Sequence, residues 1–110
     1  MSLLDQYIDE IEKDLQINEF NHKQNLLKLR ILRDSVKKEV VQKIIEESPV
    51  KVTIPVAEKA SYRHEKMKEI SEKISNEELI IEFLEKTEKT FSAVGFDIKN
   101  IIEIMKMEQL

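Results

Sequence analysis

Histidine and cysteine, the side chains that most often serve as nucleophiles, general bases or zinc ligands, are scarce in this sequence. The chain has two histidines, His22 and His64, and no cysteine. His64-Glu65 matches the start of a helical zinc-protease motif, but Lys68 stands where that motif needs its second histidine. A single glycine, Gly95, leaves no glycine-rich loop to hold a phosphate. We therefore expect a protein that is not an enzyme and that binds no metal and no cofactor.

Basic side chains recur at helical spacings in two segments and could contact nucleic-acid phosphates. At 100° per residue, each set spans an arc of about 80° on its helix, and an aromatic ring beside such an arc could stack on an unpaired base. The predicted nucleic-acid-binding residues of the later segment are Lys59, Tyr62, Arg63, Lys66 and Lys73. Those of the earlier segment, in a supporting role, are Lys23, Arg30, Arg33 and Lys37, with the adjoining Lys38.

The same basic residues also fit an ordinary solvated helix surface. Glu58, Glu65 and Glu69 interleave with the later set, a spacing typical of salt bridges within one helix. The charge is segregated along the chain, since residues 21–44 carry a net +5 whereas residues 1–20 carry −5 and residues 45–110 carry −4. A basic band inside an acidic protein is compatible with an anionic partner.

These residues must be positioned by helices, because the sequence is poor in helix breakers. It contains one Gly and two Pro, and 36% of its residues are charged, mostly Glu and Lys. Apolar residues at spacings of three and four predict an all-α fold, a small multi-helix bundle in a single domain of residues 1–110. Ser2 with Asp5 is the expected start of the first helix. We expect helix breaks at residues 18–21, at the capping box of residues 75–78 and at Gly95.

A short connector should divide the bundle into two halves. Ser48-Pro49 ends a helix, because proline disfavours the helical conformation of the residue before it. Residues 49–56 alternate and are β-branched, so they form either a lone extended strand or an ordered connector; their two prolines favour the connector. The N-terminal helices then cover about residues 2–47, the connector 48–56 and the C-terminal helices about 57–109.

The C-terminal helices are the predicted site of self-association. The last helix is apolar around most of its circumference, so it must be buried on several sides. Other subunits could supply that cover, although a swapped or internally covered terminal helix would also satisfy it, and the phenylalanines could instead form the protein's own core. The predicted oligomerisation residues are Phe83, Phe91, Phe96, Ile98, Ile101, Ile102 and Met105.

The sequence favours the cytoplasm over a membrane or an oxidising compartment. No uninterrupted apolar run approaches the roughly 18 residues that a membrane span requires. The first residues lack the basic flank of a signal peptide, and the absence of cysteine fits a reducing compartment.

The C-terminal part of the sequence resembles a known family. Phe83-Leu84-Glu85, followed by Gly95-Phe96-Asp97-Ile98-Lys99-Asn100-Ile101-Ile102-Glu103, is similar to the end of the UvsY family of phage recombination mediators. The resemblance covers roughly the last 30 residues well and the rest loosely. Lys59 and Arg63-His64-Glu65-Lys66 fall near the basic DNA-binding helix of that family, whereas residues 67–70 replace its Tyr-Tyr-Ser-Gly-like turn.

The resemblance implies a role in DNA recombination, repair and replication. A UvsY-like protein would bind single-stranded DNA and help to load a RecA-like recombinase onto DNA coated by single-strand-binding protein. It would assemble into a homo-oligomeric ring of six or seven subunits through its C-terminal helices, in the host-cell cytoplasm if the protein is phage-encoded. The alternative function is that of a non-catalytic helical adaptor or assembly protein that binds only other proteins.

Overall fold

Every regular element in the described part of the chain is an α-helix. A computed structural model describes residues 3–109, and within that range α1 spans Leu3–Glu47, α2 spans Ile54–Ser61 and α3 spans Glu65–Glu108. Residues 48–53 form the connector, and no strand occurs among the described residues. The predicted all-α class is therefore confirmed. The predicted helix start at Ser2 lies outside the described residues.

The helices pair within two compact units. Unit 1 takes the described residues up to His22 together with those from Ile80 onward, and unit 2 comprises Lys23–Leu79. The long helices α1 and α3 each contribute one part to each unit, whereas α2 belongs to unit 2 alone. None of the described helices is both long and apolar enough to cross a lipid bilayer.

The core of unit 2 follows the spacing of a coiled coil. Its buried and half-buried apolar residues alternate at intervals of three and four, as the seam between two helices requires. Those that follow this spacing are Leu26, Leu29, Val36 and Val40 of α1, with half-buried Arg33 between Leu29 and Val36, and Met67, Ile70 and Ile74 of α3. The short helix α2 adds Ala57 and Ser61, both fully buried, and the Ser61 hydroxyl donates a 2.6 Å hydrogen bond to the Glu58 carbonyl. Small residues at these two positions let α2 lie close to its neighbours.

Unit 1 pairs the start of α1 with the end of α3 in antiparallel orientation. Asp9 accepts a 2.9 Å hydrogen bond from Lys99, and Glu88 accepts one of 3.3 Å from Gln16. The α3 seam continues in this unit at the same spacing and is contributed by Ile81, Leu84, Phe91, Gly95, Ile98 and Ile102. A Cβ atom built on Gly95 would lie 2.9 Å from Cγ2 of Ile8. The two helices therefore approach closely at this glycine.

Three predicted helix breaks are wrong, because the seam runs through each of them. Residues 18–21 include half-buried Glu19, which continues the α1 spacing, and residues 75–78 include half-buried Glu77, between the buried Ile74 and Ile81. Gly95 has no positive φ, so it is a helix-interior residue and not a C-terminal cap. Unfavourable helix propensity costs at most about 1 kcal/mol per residue, whereas burying one Leu or Ile contributes about 1.5–3 kcal/mol.

The predicted third helix, by contrast, is divided in two. Its first part is α2, which begins at Ile54, about three residues earlier than the expected start near residue 57, with Pro55 in the first turn where its missing N–H is harmless. The chain then turns at residues 62–64, where the backbone N–H groups of Arg63 and His64 donate to carbonyls three residues back. His64 Nδ1 accepts a 3.2 Å hydrogen bond from the Lys66 N–H, and this contact caps the start of α3.

Candidate nucleic-acid interface

The turn between α2 and α3 brings together most of the later basic residues. We call this region, Lys59 to Lys66, the corner. Lys59 lies on the last turn of α2, Tyr62 and Arg63 in the turn, and Lys66 on the first turn of α3; all four side chains are exposed. The exposed fraction of Tyr62 is 54%, which leaves a large part of its surface open to a ligand.

Tyr62 is fixed to α1 by Lys37. The Lys37 ammonium donates a 3.0 Å hydrogen bond to the Tyr62 hydroxyl and lies 5.1 Å from the ring centroid. Lys37 therefore contacts Tyr62 both through a hydrogen bond to its hydroxyl and through a cation–π contact with its ring. This hydrogen bond raises the pKa of Lys37, and the charges of Glu58 and Asp34 add to the effect. Lys37 is therefore protonated at neutral pH, and its positive charge lies beside the ring.

The other members of the earlier basic set lie beside the α1–α3 seam of unit 2. Arg30 forms a salt bridge of 3.7 Å with Glu78, and Arg33 is half-buried at a seam position. Lys23 also interacts with other groups of the chain. Lys38 is exposed and, with Lys37, lines a groove between α1 and α2. Within this set, Arg30 thus contacts α3 directly, whereas Lys37 and Lys38 face the groove.

The later basic set does not form the single helical arc that the spacing predicts. The turn at residues 62–64 separates Lys59 on α2 from Lys66 and Lys73 on α3, so the expected arc of one continuous helix is wrong. Lys73 lies 3.6 Å from Glu69, one turn earlier on α3, in an exposed salt bridge of the ordinary surface type. The corner is therefore formed by Lys59, Tyr62, Arg63 and Lys66 without Lys73.

Charge separates between the two units. Unit 2 contains thirteen Lys and Arg and ten Asp and Glu, a net +3, whereas unit 1 contains five and twelve, a net −7. An anionic ligand is consequently attracted to unit 2 and repelled by unit 1. No single stretch of sequence reveals the charge of unit 1, because this unit combines residues up to His22 with residues from Ile80 onward.

The predicted oligomerisation residues fall into two groups. Phe91, Ile98 and Ile102 are half-buried along the α3 seam of their own chain. The remaining four, which are 55–68% exposed, are Phe83, Phe96, Ile101 and Met105. The groove between α1 and α2 is lined by the apolar residues Val41, Ile45 and Ile54, which are not among the site residues predicted from the sequence. Their signal was present, since Val41 and Ile45 are four residues apart on one helix face.

The fold and the site define a class of protein: an all-helical chain of antiparallel helix pairs with a basic corner that carries an exposed tyrosine. Among the described residues, no cluster of three or more His, Asp or Glu side chains is arranged to hold a metal ion. Comparisons with protein-family models, with curated proteins and with solved structures found no match to this chain.

Proposed function

We propose that this protein is a recombination mediator that binds single-stranded DNA through the corner. In this role it helps a RecA-like recombinase to replace single-strand-binding protein on the DNA. The observation that carries the proposal is the exposed Tyr62 ring at the turn, with the exposed Lys59, Arg63 and Lys66 within four residues of it in the more basic unit. Aromatic stacking and phosphate contacts are the two interactions with which proteins bind single strands of any sequence. The mediator role itself comes from the resemblance to UvsY.

The affinity of one corner alone would be low. Three cations and one ring provide few contacts, and one stacked base contributes about 1–3 kcal/mol. Repetition of the corner in an oligomer raises affinity, because the second and later contacts on one strand become intramolecular. Self-association is therefore part of the proposed mechanism.

The exposed surface area supports self-association. The chain exposes 8743 Å², whereas a folded monomer of this mass is expected to expose about 6,300 Å². The excess is larger than the roughly 800 Å² that each partner buries in an interface of standard size. Large apolar side chains contribute to it, among them Phe83 at 68% exposure.

A fluorescence anisotropy titration with a labelled oligonucleotide tests DNA binding. The wild-type chain should bind a thymidine oligonucleotide more tightly at 50 mM than at 200 mM salt. The pair Lys59→Glu and Arg63→Glu should abolish binding, whereas Lys13→Glu with Lys89→Glu, an equal charge change in unit 1, should weaken it slightly. Tyr62→Ala should lower affinity about tenfold or more, and Tyr7→Ala, which removes an exposed tyrosine of unit 1, should not. Equal losses in both pairs would refute the corner as the site.

The mediator role needs a functional assay. Strand exchange by a RecA-like recombinase on DNA coated with single-strand-binding protein should accelerate when the wild-type chain is added. The Lys59→Glu, Arg63→Glu variant should not accelerate it. DNA binding without any acceleration would leave a single-strand binder that is not a mediator.

A second candidate function is a helical adaptor that binds only other proteins. The exposed apolar side chains on both long helices favour it, because contiguous apolar surface marks protein interfaces. This candidate predicts that the Lys59→Glu, Arg63→Glu variant keeps all its protein partners and that the wild-type chain does not bind the oligonucleotide even at low salt.

A further inference from the structure

Beside its seam, α3 presents in unit 1 an apolar face that the described residues leave exposed. Exposed residues Ile80, Phe83, Val94 and Ile101 lie within about 60° of one another on the helix, with Thr87 and Thr90 between them. We call these six residues the α3 stripe. A shallow depression of about 470 Å³ runs along its middle, between Phe83 and Val94.

The outer side of α1 in unit 2 presents a second such face. Leu27 and Ile31 are 53% and 62% exposed, and Val41 and Ile45 continue the same line within an arc of about 80°. Asp34 and Lys38 lie between the two pairs. We call these six residues the α1 stripe. Its second pair forms one wall of a groove of about 690 Å³ whose opposite wall is Ile54 of α2, a space large enough to receive an aromatic side chain.

The two stripes have matching dimensions. Each has an apolar pair at either end and two polar residues in the middle. At 1.5 Å per residue, the α1 stripe is about 27 Å long and the α3 stripe about 32 Å. A helix with the α3 pattern can therefore lie along the α1 stripe so that apolar pairs meet apolar pairs.

The charges of the two units determine which stripe of a neighbouring copy each stripe can pack on. The α3 stripe belongs to a unit of net charge −7, so two α3 stripes that meet would bring together two units that repel each other. The α1 stripe belongs to a unit of net charge +3; it contains Lys38 and has Lys28 and Lys37 on its two sides, and Glu46 and Glu58 also line its groove. Opposite charges around an apolar contact steer association and disfavour the like-charged alternative.

We propose that a second copy of this chain covers each stripe, with the α3 stripe of one copy packed on the α1 stripe of the next. The inference rests on the self-association that is part of the proposed function, and it adds the surface that receives the C-terminal helix. Such a contact is heterologous, because the two surfaces that meet are different. Each copy keeps one unused stripe for a further copy, so the contact repeats from copy to copy, and it forms a ring where the rotation between copies closes.

Two variants, each with one blocked stripe, test this pairing. Leu27→Glu with Ile31→Glu blocks the α1 stripe by placing acids against the acidic unit of a neighbour. Phe83→Lys with Ile101→Lys blocks the α3 stripe by placing bases against the basic unit. All four positions are exposed, so both variants should keep the helical circular dichroism of the wild type. Val50→Glu with Val56→Glu removes two exposed apolar residues outside the stripes and serves as the control.

Light scattering gives the decisive masses. The wild type and the control should form the same oligomer, whereas each blocked variant alone should have a mass near the 13.0 kDa of one chain. An equimolar mixture of the two blocked variants should form a dimer of twice that mass, because each supplies the stripe that the other lacks. A monomeric wild type, an α1-blocked variant that still assembles, or a mixture that stays monomeric would each overturn the pairing. These masses are measured without DNA, so failure of DNA binding leaves their outcome unchanged.

Discussion

At the scale of single residues, Gly95 shows how one position can serve packing at the expense of helix propensity. Glycine inside a helix is unfavourable by about 1 kcal/mol relative to alanine. Here it lies in the interior of α3, and an added Cβ would come within 2.9 Å of Cγ2 of Ile8. Cγ2 is attached to a branched Cβ and cannot swing away. Close approach of the two helices, and not the capping that the sequence predicts, explains the glycine.

Gly95→Ala should therefore destabilise unit 1, and the loss should depend on Ile8. Overpacking costs about 1–3 kcal/mol, which outweighs the gain of about 1 kcal/mol in propensity. In an Ile8→Ala background the clashing methyl group is absent, so Gly95→Ala should become stabilising by up to about 1 kcal/mol. Urea unfolding of the four chains at one protomer concentration measures the coupling. Equal effects of Gly95→Ala in both backgrounds would show that Ile8 does not restrict this position.

Lys99 gives a pH-dependent contribution to stability. Its hydrogen bond to Asp9 raises its pKa above the ordinary 10.5, and the charges of Asp9, Glu12 and Asp5 act in the same direction. A raised lysine pKa stabilises the fold below the pKa of the unfolded chain, and this stabilisation is lost as the pH rises through the folded pKa. The wild type should thus unfold at higher urea than Lys99→Met at pH 8. The difference between the wild type and Lys99→Met should vanish at strongly alkaline pH. The difference between the wild type and Lys106→Met should be small at every pH.

At the scale of the helices, the type of element was predictable and its continuity was not. Composition and spacing predict an all-α chain with a connector after Glu47, because those signals are local. Ser75 to Glu78 also carries a strong local start signal, yet the structure continues α3 through it, and buried Ile74 and Ile81 lie on either side at the heptad spacing. Local signals report the preference of a short segment, whereas the seam depends on a partner helix distant in sequence.

Ser75→Ala tests the continuity of α3 by the sign of its effect. At a true N-cap, loss of the serine hydroxyl costs about 1 kcal/mol. In an exposed helix interior, alanine is better than serine by about 0.5 kcal/mol. The continuous α3 therefore predicts that Ser75→Ala raises the urea midpoint, with Ser71→Ala, one turn earlier and equally exposed, as the matched comparison. A lower midpoint for Ser75→Ala alone would place a helix start at this residue.

The candidate site was predictable in its residue types and not in its geometry. Lys37 and Tyr62 are both among the predicted residues, but their hydrogen bond joins positions 25 residues apart on different helices. No local pattern specifies such a contact. The turn at residues 62–64 also lacks glycine and proline, the residues that usually mark a turn in a sequence. As a result, the predicted continuous basic helix is in fact a corner.

At the scale of the whole molecule, the proposed assembly and the proposed DNA binding should be coupled. For single strands, the slope of log affinity against log salt is about −0.7 for each phosphate that a cation neutralises. Lys59, Arg63 and Lys66 of one corner should thus give a slope near −2. An assembly that places several corners on one strand should give a slope at least twice as steep.

Blocking assembly without changing charge isolates this coupling. Phe83→Gln with Ile101→Gln removes the apolar ends of the α3 stripe in unit 1, leaves the corner in unit 2 intact and keeps the net charge of −4. We expect this variant to bind a long thymidine oligonucleotide at least a hundredfold more weakly than the wild type, with a salt slope near that of one corner. Val50→Gln with Val56→Gln should retain both the wild-type affinity and the steep slope. If the blocked variant is monomeric and yet binds with the wild-type slope, each chain binds DNA on its own, and the assembly has another purpose.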